Sequence, residues 1–113
     1  VGVESDLVNS YAWDTAIVFI QEMGNTNYAN KKSLNSSIVN TGTIGDKVCN
    51  IHDMASNCHE WSTENSTNLR TNIYFPCTVR GISFDGMVSN ASVRSQEITS
   101  SNYYNFRIII YVQ

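Results

Sequence analysis

Apolar positions recur at three- and four-residue spacing in one part of the chain only. Trp13, Ala16, Ile17, Ile20 and Met23 share one side of a helix, and Val18 and Phe19 broaden it. This predicts a helix over 10–23. Ser10 is placed as its cap, Asp14 in its first turn where a negative charge suits the helix dipole, and Gly24 as its stop. Residues 25–47 carry few apolar anchors (Tyr28, Leu34, Ile38, Val39, Ile44) among Asn, Ser and Thr. They read as loop with a short helical turn around 33–38, punctuated at 41–43 and 45–46.

Extended segments come late. Residues 48–51 read as a short extended piece. Asp53 then opens a turn, because an Asp side chain accepts from backbone N–H groups two or three residues on. Residues 58–63 read as a strand, 64–72 as a polar connection, and 73–80 as a second strand that Pro76 pushes toward an edge or bulge. The run from Phe106 to Val112 is apolar nearly throughout, which predicts a strand buried on both faces. Between these strands, 82–105 shows no period and reads as one long irregular loop. A helix or two, a few late strands and long loops make an irregular α+β domain. At 113 residues there is room for one core.

Composition sharpens the reading of the loop. Ser and Asn fill 28 of the 113 positions, so surface polarity comes from neutral hydrogen-bonding groups rather than charge. Within 82–105 they are joined by Tyr103 and Tyr104, the mixture found in binding loops such as antibody paratopes. A structureless stretch of more than ~15 residues is otherwise an argument against its own assignment, unless the loop is functional. Net charge is −3 and the seven basic residues are scattered, which excludes the basic stripe of a nucleic-acid binder. No run of ~18 apolar residues exists to insert in a membrane. The chain begins at Val1 without an initiator Met and reads as a domain within a longer protein.

The three cysteines, Cys49, Cys58 and Cys77, match no zinc spacing, and His52 and His59 are the two histidines. An odd count leaves at least one thiol free. A Cys58–Cys77 bridge is compatible with neighbouring strands, while three buried thiols acting as small hydrophobes is the simpler alternative.

The landmarks also resemble a family. Asp53-Met54-Ala55-Ser56-Asn57-Cys58-His59-Glu60-Trp61 resembles the Asp-Met-Ala-Gly-Asn-x-x-Glu-Trp signature of formylglycine-generating-enzyme-like (sulfatase-modifying-factor) domains. Arg80-Gly81-Ile82-Ser83-Phe84 resembles their Arg-Gly-Gly-Ser-aromatic strand. Ala91-Ser92-Val93-Arg94 and Asn105-Phe106-Arg107 resemble two further landmarks, and Tyr11 to Ala16 the first core helix. The resemblance spans roughly 46–112 and implies a C-type-lectin-like fold in its formylglycine-generating-enzyme variant. In that frame Trp61 is expected in the core, Glu60 tied to backbone or to an Arg, and Arg94 and Arg107 as buried anchors of the loop.

The family's oxidase activity needs a copper-binding cysteine pair, and 78–113 contains no Cys. Calcium-dependent sugar recognition needs Glu-Pro-Asn or Gln-Pro-Asp and Trp-Asn-Asp motifs that are missing too. No cofactor and no metal is therefore expected. The closer resemblance is to non-catalytic, retroelement-diversified variable proteins of bacteria and phages, whose variable positions lie between the Arg-Gly and Phe-Arg strands. It implies a non-enzymatic receptor-recognition module on a phage tail fibre or bacterial cell surface, meeting a protein or glycan ligand on another cell. Expected contacts are Ser83, Asp85, Met87, Val88, Ser89, Val93, Ser95, Glu97, Asn102, Tyr103 and Tyr104. The rivals are a degenerate oxidase or hydrolase and a trimerising fibre tip, and a second copy of the chain stays among the partners allowed.

Overall fold

The structure is a computed structural model that describes residues 2–65, 77–84, 90–97 and 104–112. It is a small mixed α+β domain with one α-helix and three sheets among the described residues. Strand β1 (Val3–Leu7) is followed by helix α1 (Ser10–Glu22), a 3-10 turn (Tyr28–Asn30) and a hairpin of β2 (Lys47–Val48) and β3 (Ile51–His52). Then come β4 (His59–Asn65), β5 (Cys77–Arg80), β6 (Arg94–Glu97), β7 (Tyr104–Phe106) and β8 (Ile108–Val112). No helix among the described residues is long and apolar enough to cross a membrane.

The helix lies where its apolar spacing predicts, and it buries Trp13, Ile17 and Ile20. Its cap is Asn9 rather than Ser10: the Asn9 side chain accepts from the Ala12 amide at 2.8 Å. Asp14 therefore lies beyond the first turn, and it pairs instead with Arg80. Gly24 follows the helix at φ 104°. The helical turn expected around 33–38 is absent, and the short helical piece falls at Tyr28, whose buried ring supplies an apolar anchor. In the hairpin, Cys49 and Asn50 take φ of 53° and 63°, a two-residue turn with both central residues left-handed.

Strand order in the main sheet is β6-β5-β4-β7, antiparallel except for the parallel β4–β7 pair. The first and last described strands, β1 and β8, form a separate antiparallel pair. Val8 links the two sheets: its amide donates to Arg107 O at 2.8 Å and its carbonyl accepts from the Thr63 amide at 3.1 Å. The core gathers Val8, Trp13, Ile17, Ile20, Tyr28, Met54, Ala55 and Ala91.

Three expectations are corrected here. The apolar run at the end of the chain is broken at Arg107, and β8 is not buried on both faces: Ile108, Ile110 and Val112 are exposed, while Ile109 packs on the core. A strand with β1 as its partner and a single face toward the core buries only alternate side chains. Second, 82–105 is not all loop, because β6 and the start of β7 lie within it. Both are edge strands: β6, Arg-Ser-Gln-Glu, has no apolar position to reveal it, and β7 is only three residues long. Third, Cys49 and Cys77 are exposed, Cys58 is buried, and all three are free. Antiparallel pairing sets Cys77 against Asn65, at the far end of β4 from Cys58, so a bridge between them is out of reach.

Candidate functional site

The segment from Asp53 to Asn57 is buried throughout. Asp46, not Asp53, organises it. The buried Asp46 carboxylate accepts from the Ala55 amide (2.8 Å), Ser56 Oγ (3.0 Å), the Tyr28 hydroxyl (2.9 Å) and Lys31 Nζ (2.7 Å). Burial works to raise the Asp46 carboxyl, but Lys31, the Ala55 amide and Tyr28 together hold it below the ordinary carboxylate value. Burial, and then Asp46, pushes the Tyr28 phenol well above its ordinary value. Asn57, at φ 75°, exchanges side-chain bonds with the Val39 main chain and accepts from the Phe84 amide through its carbonyl.

The Arg-Gly pair closes tightly on this base. Gly81 has φ 76°, and a Cβ there would lie 2.9 Å from Trp13 Cζ2 and 3.1 Å from the Met54 carbonyl oxygen. Only glycine fits that conformation and that approach without strain. Arg80 is 3 % exposed and spans the gap to the next segment. Its Nε donates to Val93 O at 3.1 Å, its Nη2 to Ser92 O at 3.3 Å, and its charge meets Asp14.

Segment 90–97 is held chiefly through its main chain. The Ala91 and Ser92 amides donate to Lys31 O and Ala29 O, Trp13 Nε1 donates to Ala91 O, and the Gly81 amide donates to Val93 O. β6 then pairs with β5 along Arg94 to Glu97. Ala91 is buried, and the exposed Arg94 makes an ion pair with the half-buried Glu64. The anchoring guanidinium is thus Arg80, where Arg94 had been expected. Arg107 is half-buried and turns to the frame instead of to described carbonyls of 82–105: Nε and Nη2 fork onto Glu60 at 2.7 and 2.8 Å, and Nη2 also reaches His52 O at 2.7 Å.

The expected contact residues divide into three groups. Asp85, Met87, Val88, Ser89, Asn102 and Tyr103 lie outside the described residues. Ser83 is buried, so it lies beneath any contact surface, a correction that follows from the descent of 81–83 against the Asp53–Asn57 segment. Val93 and Ser95 are half-buried beside or on β6, Glu97 ends that strand, and Tyr104 is half-buried on β7. β6 and β7 are opposite edges of the sheet, so two strands, β5 and β4, lie between these residues. Trp61 is also half-buried rather than core. β4 buries Glu60 and Ser62 on one side, which turns Trp61 outward against Tyr104 (centroids 5.0 Å apart, T-shaped), with His59 beside the same ring at 5.9 Å.

Sequence reasoning named Arg80 only as a landmark and Asp46 only as punctuation, and missed the role of each. A lone Asp after Gly45 looks like turn punctuation, and no local pattern marks a carboxylate that will face residues nine and ten positions on. Compared with protein families, with curated proteins and with solved structures, the chain matches none.

Proposed function

We propose that this chain is a non-enzymatic recognition module whose contact surface is built from the segment between Arg80 and Phe106. The observation that carries it is the anchoring of 90–97. The bonds to Lys31, Ala29, Trp13, Arg80 and Gly81 all use main-chain atoms of the segment. A segment held that way keeps its course while most of its side chains change, which is what a surface selected for different ligands requires. The half-exposed rings of Trp61 and Tyr104 extend that surface from the β7 edge, with contact area at low entropy cost.

The proposal extends to the C-type-lectin-like fold in its formylglycine-generating-enzyme variant, and to kinship with retroelement-diversified proteins of phage tail fibres and bacterial surfaces. Its support is that the matching residues do frame work: Gly81 closes on Trp13, Arg80 holds the segment, and Glu60 holds Arg107. The ligand class is a protein or glycan on another cell.

The test is a glycan- and cell-binding screen of the chain beside a variant in which Asp85, Met87, Val88, Ser89, Asn102 and Tyr103 are permuted among themselves. Binding lost at unchanged Tm is the expected result. Equal binding by both proteins overturns the assignment of the surface. Concentration-dependent mass with no binding by either points to fibre assembly instead.

A further inference from the structure

The ribbon of β1 and β8 turns its more apolar face outward. Pairing sets Val3 against Val112, Ser5 against Ile110 and Leu7 against Ile108, and directly opposed residues share a face. That face carries five aliphatic side chains, one serine and no charge. Ile108, Ile110 and Val112 are 58, 64 and 73 % exposed, and Val3 is 62 % exposed. The other face carries Glu4, Asp6, Ile109 and Tyr111, of which Ile109 packs on the core. An antiparallel pair with one face on a core ordinarily puts its polar residues outward. Here both carboxylates share the face of Ile109, and aliphatic side chains meet the solvent. A contiguous apolar face of this kind marks an interaction surface.

Its composition and extent point to a second copy of this chain as the occupant. Interfaces with transient foreign partners are about as apolar as the rest of a surface, whereas homodimer interfaces are more apolar. Each chain carries a net charge of −3, yet two copies that meet on this face bring no like charges together. The outward area is on the order of 500 Å² per copy, or about 1,000 Å² in a pair, which is the least that a specific interface needs. Sheets pack face to face with their strands about 30° apart, and a two-fold axis uses the same patch on both copies. A lipid surface suits the ribbon less well. It has no Lys or Arg to meet headgroups, and its charges are Glu4 and Asp6.

We propose that two copies of this chain pair face to face through the outward side of the β1–β8 ribbon, about a two-fold axis that sets Ile110 near the centre of the interface. The pairing uses neither β6 nor β7, so it does not depend on the recognition surface proposed above.

Sedimentation equilibrium of the chain over a series from about 1 µM to about 500 µM tests it, the range in which an interface this small associates. The mean mass rises from one chain toward two. Ile110→Lys, at an exposed position, holds the mass at one chain throughout the series while the far-ultraviolet spectrum is unchanged, and Val112→Lys serves if it does not fold. Glu4→Gln, on the other face of the ribbon, associates as the parent does. An equimolar mixture of Ile110→Lys and Ile110→Glu recovers part of the rise, because the two-fold brings the central positions of the copies together. The mass of one chain at every concentration, a rise toward three, a rise undiminished in the folded Lys variants, or no recovery in the mixture overturns the proposal. Flotation of a monomeric chain with phosphatidylcholine vesicles also overturns it and assigns the face to lipid.

Discussion

At the scale of single residues, the frame depends on a few side chains that work through backbone. Arg80 is buried and its donors fall on two carbonyls of one segment. Truncation to Ala leaves those carbonyls and Trp13 without it, and it should cost about 3 kcal/mol in chemical denaturation. Arg80→Lys recovers only part of this, since an ammonium cannot reproduce the fork. Asp14 is mostly exposed, so Asp14→Asn should cost less than about 1 kcal/mol. Equal losses for the two variants would show that the ion pair, rather than the carbonyl contacts, is what Arg80 contributes. Gly81→Ala should cost about 2 kcal/mol or more, because it sets a Cβ against Trp13 and Met54 at a left-handed φ. The need for glycine in the Arg-Gly pair is a matter of packing against a helix almost seventy positions earlier, which no local pattern contains.

At the scale of elements, the helix was legible because its face repeats, and a repeating face is a property of neighbours in sequence. Its cap was misplaced by one residue because Asn9 and Ser10 are both good caps, and Ser10 instead meets Glu64. Asn9→Ala should lower stability by about 1 kcal/mol, while Ser10→Ala leaves the cap bond intact and costs less, as thermal melts of the two would show. Strands β1 and β6 went unread for a different reason. β1 alternates charged residues, Glu4 and Asp6, with Val3, Ser5 and Leu7, and it pairs along its whole length with β8. Its extension is imposed by the ladder rather than by its own residues. β8 shows the converse: its apolar run is strong, but burial on both faces requires neighbours that the fold does not place there.

At the scale of the molecule, charge buried inside a small core ties stability to pH. The folded-state value of Asp46 lies below its ordinary value of 3.8. Its contribution is therefore present above that pH and is lost as pH falls through the folded value. Glu60 runs the other way: its folded value lies above 4.5, so its contribution is present below that pH and is lost as pH rises through the folded value. Asp46→Asn should lower Tm at neutral pH, since Lys31 and Ser56 lose their acceptor charge. It should also flatten the decline of Tm as pH falls below about 4. An unchanged slope would remove Asp46 as the group responsible.

The sequence by itself determined the local and the periodic: the α1 face, the α+β class, the turn region around Asp53 and the strand that leads into Trp61. It also marked 82–105 as a segment of unusual composition, and the family resemblance left Glu60 with either backbone or an Arg as its partner. Only the tertiary structure decided which Arg would hold that segment, which Asp would organise the buried turn, and which side of Trp61 would face out. It also decided that Ser83 lies beneath the surface rather than on it. The physical reason is one of range. Helix faces and turns are set by interactions within a few residues, whereas Arg80 with Asp14, Asp46 with Ala55 and Arg107 with Glu60 are set by chain segments that meet only after the sheets have formed.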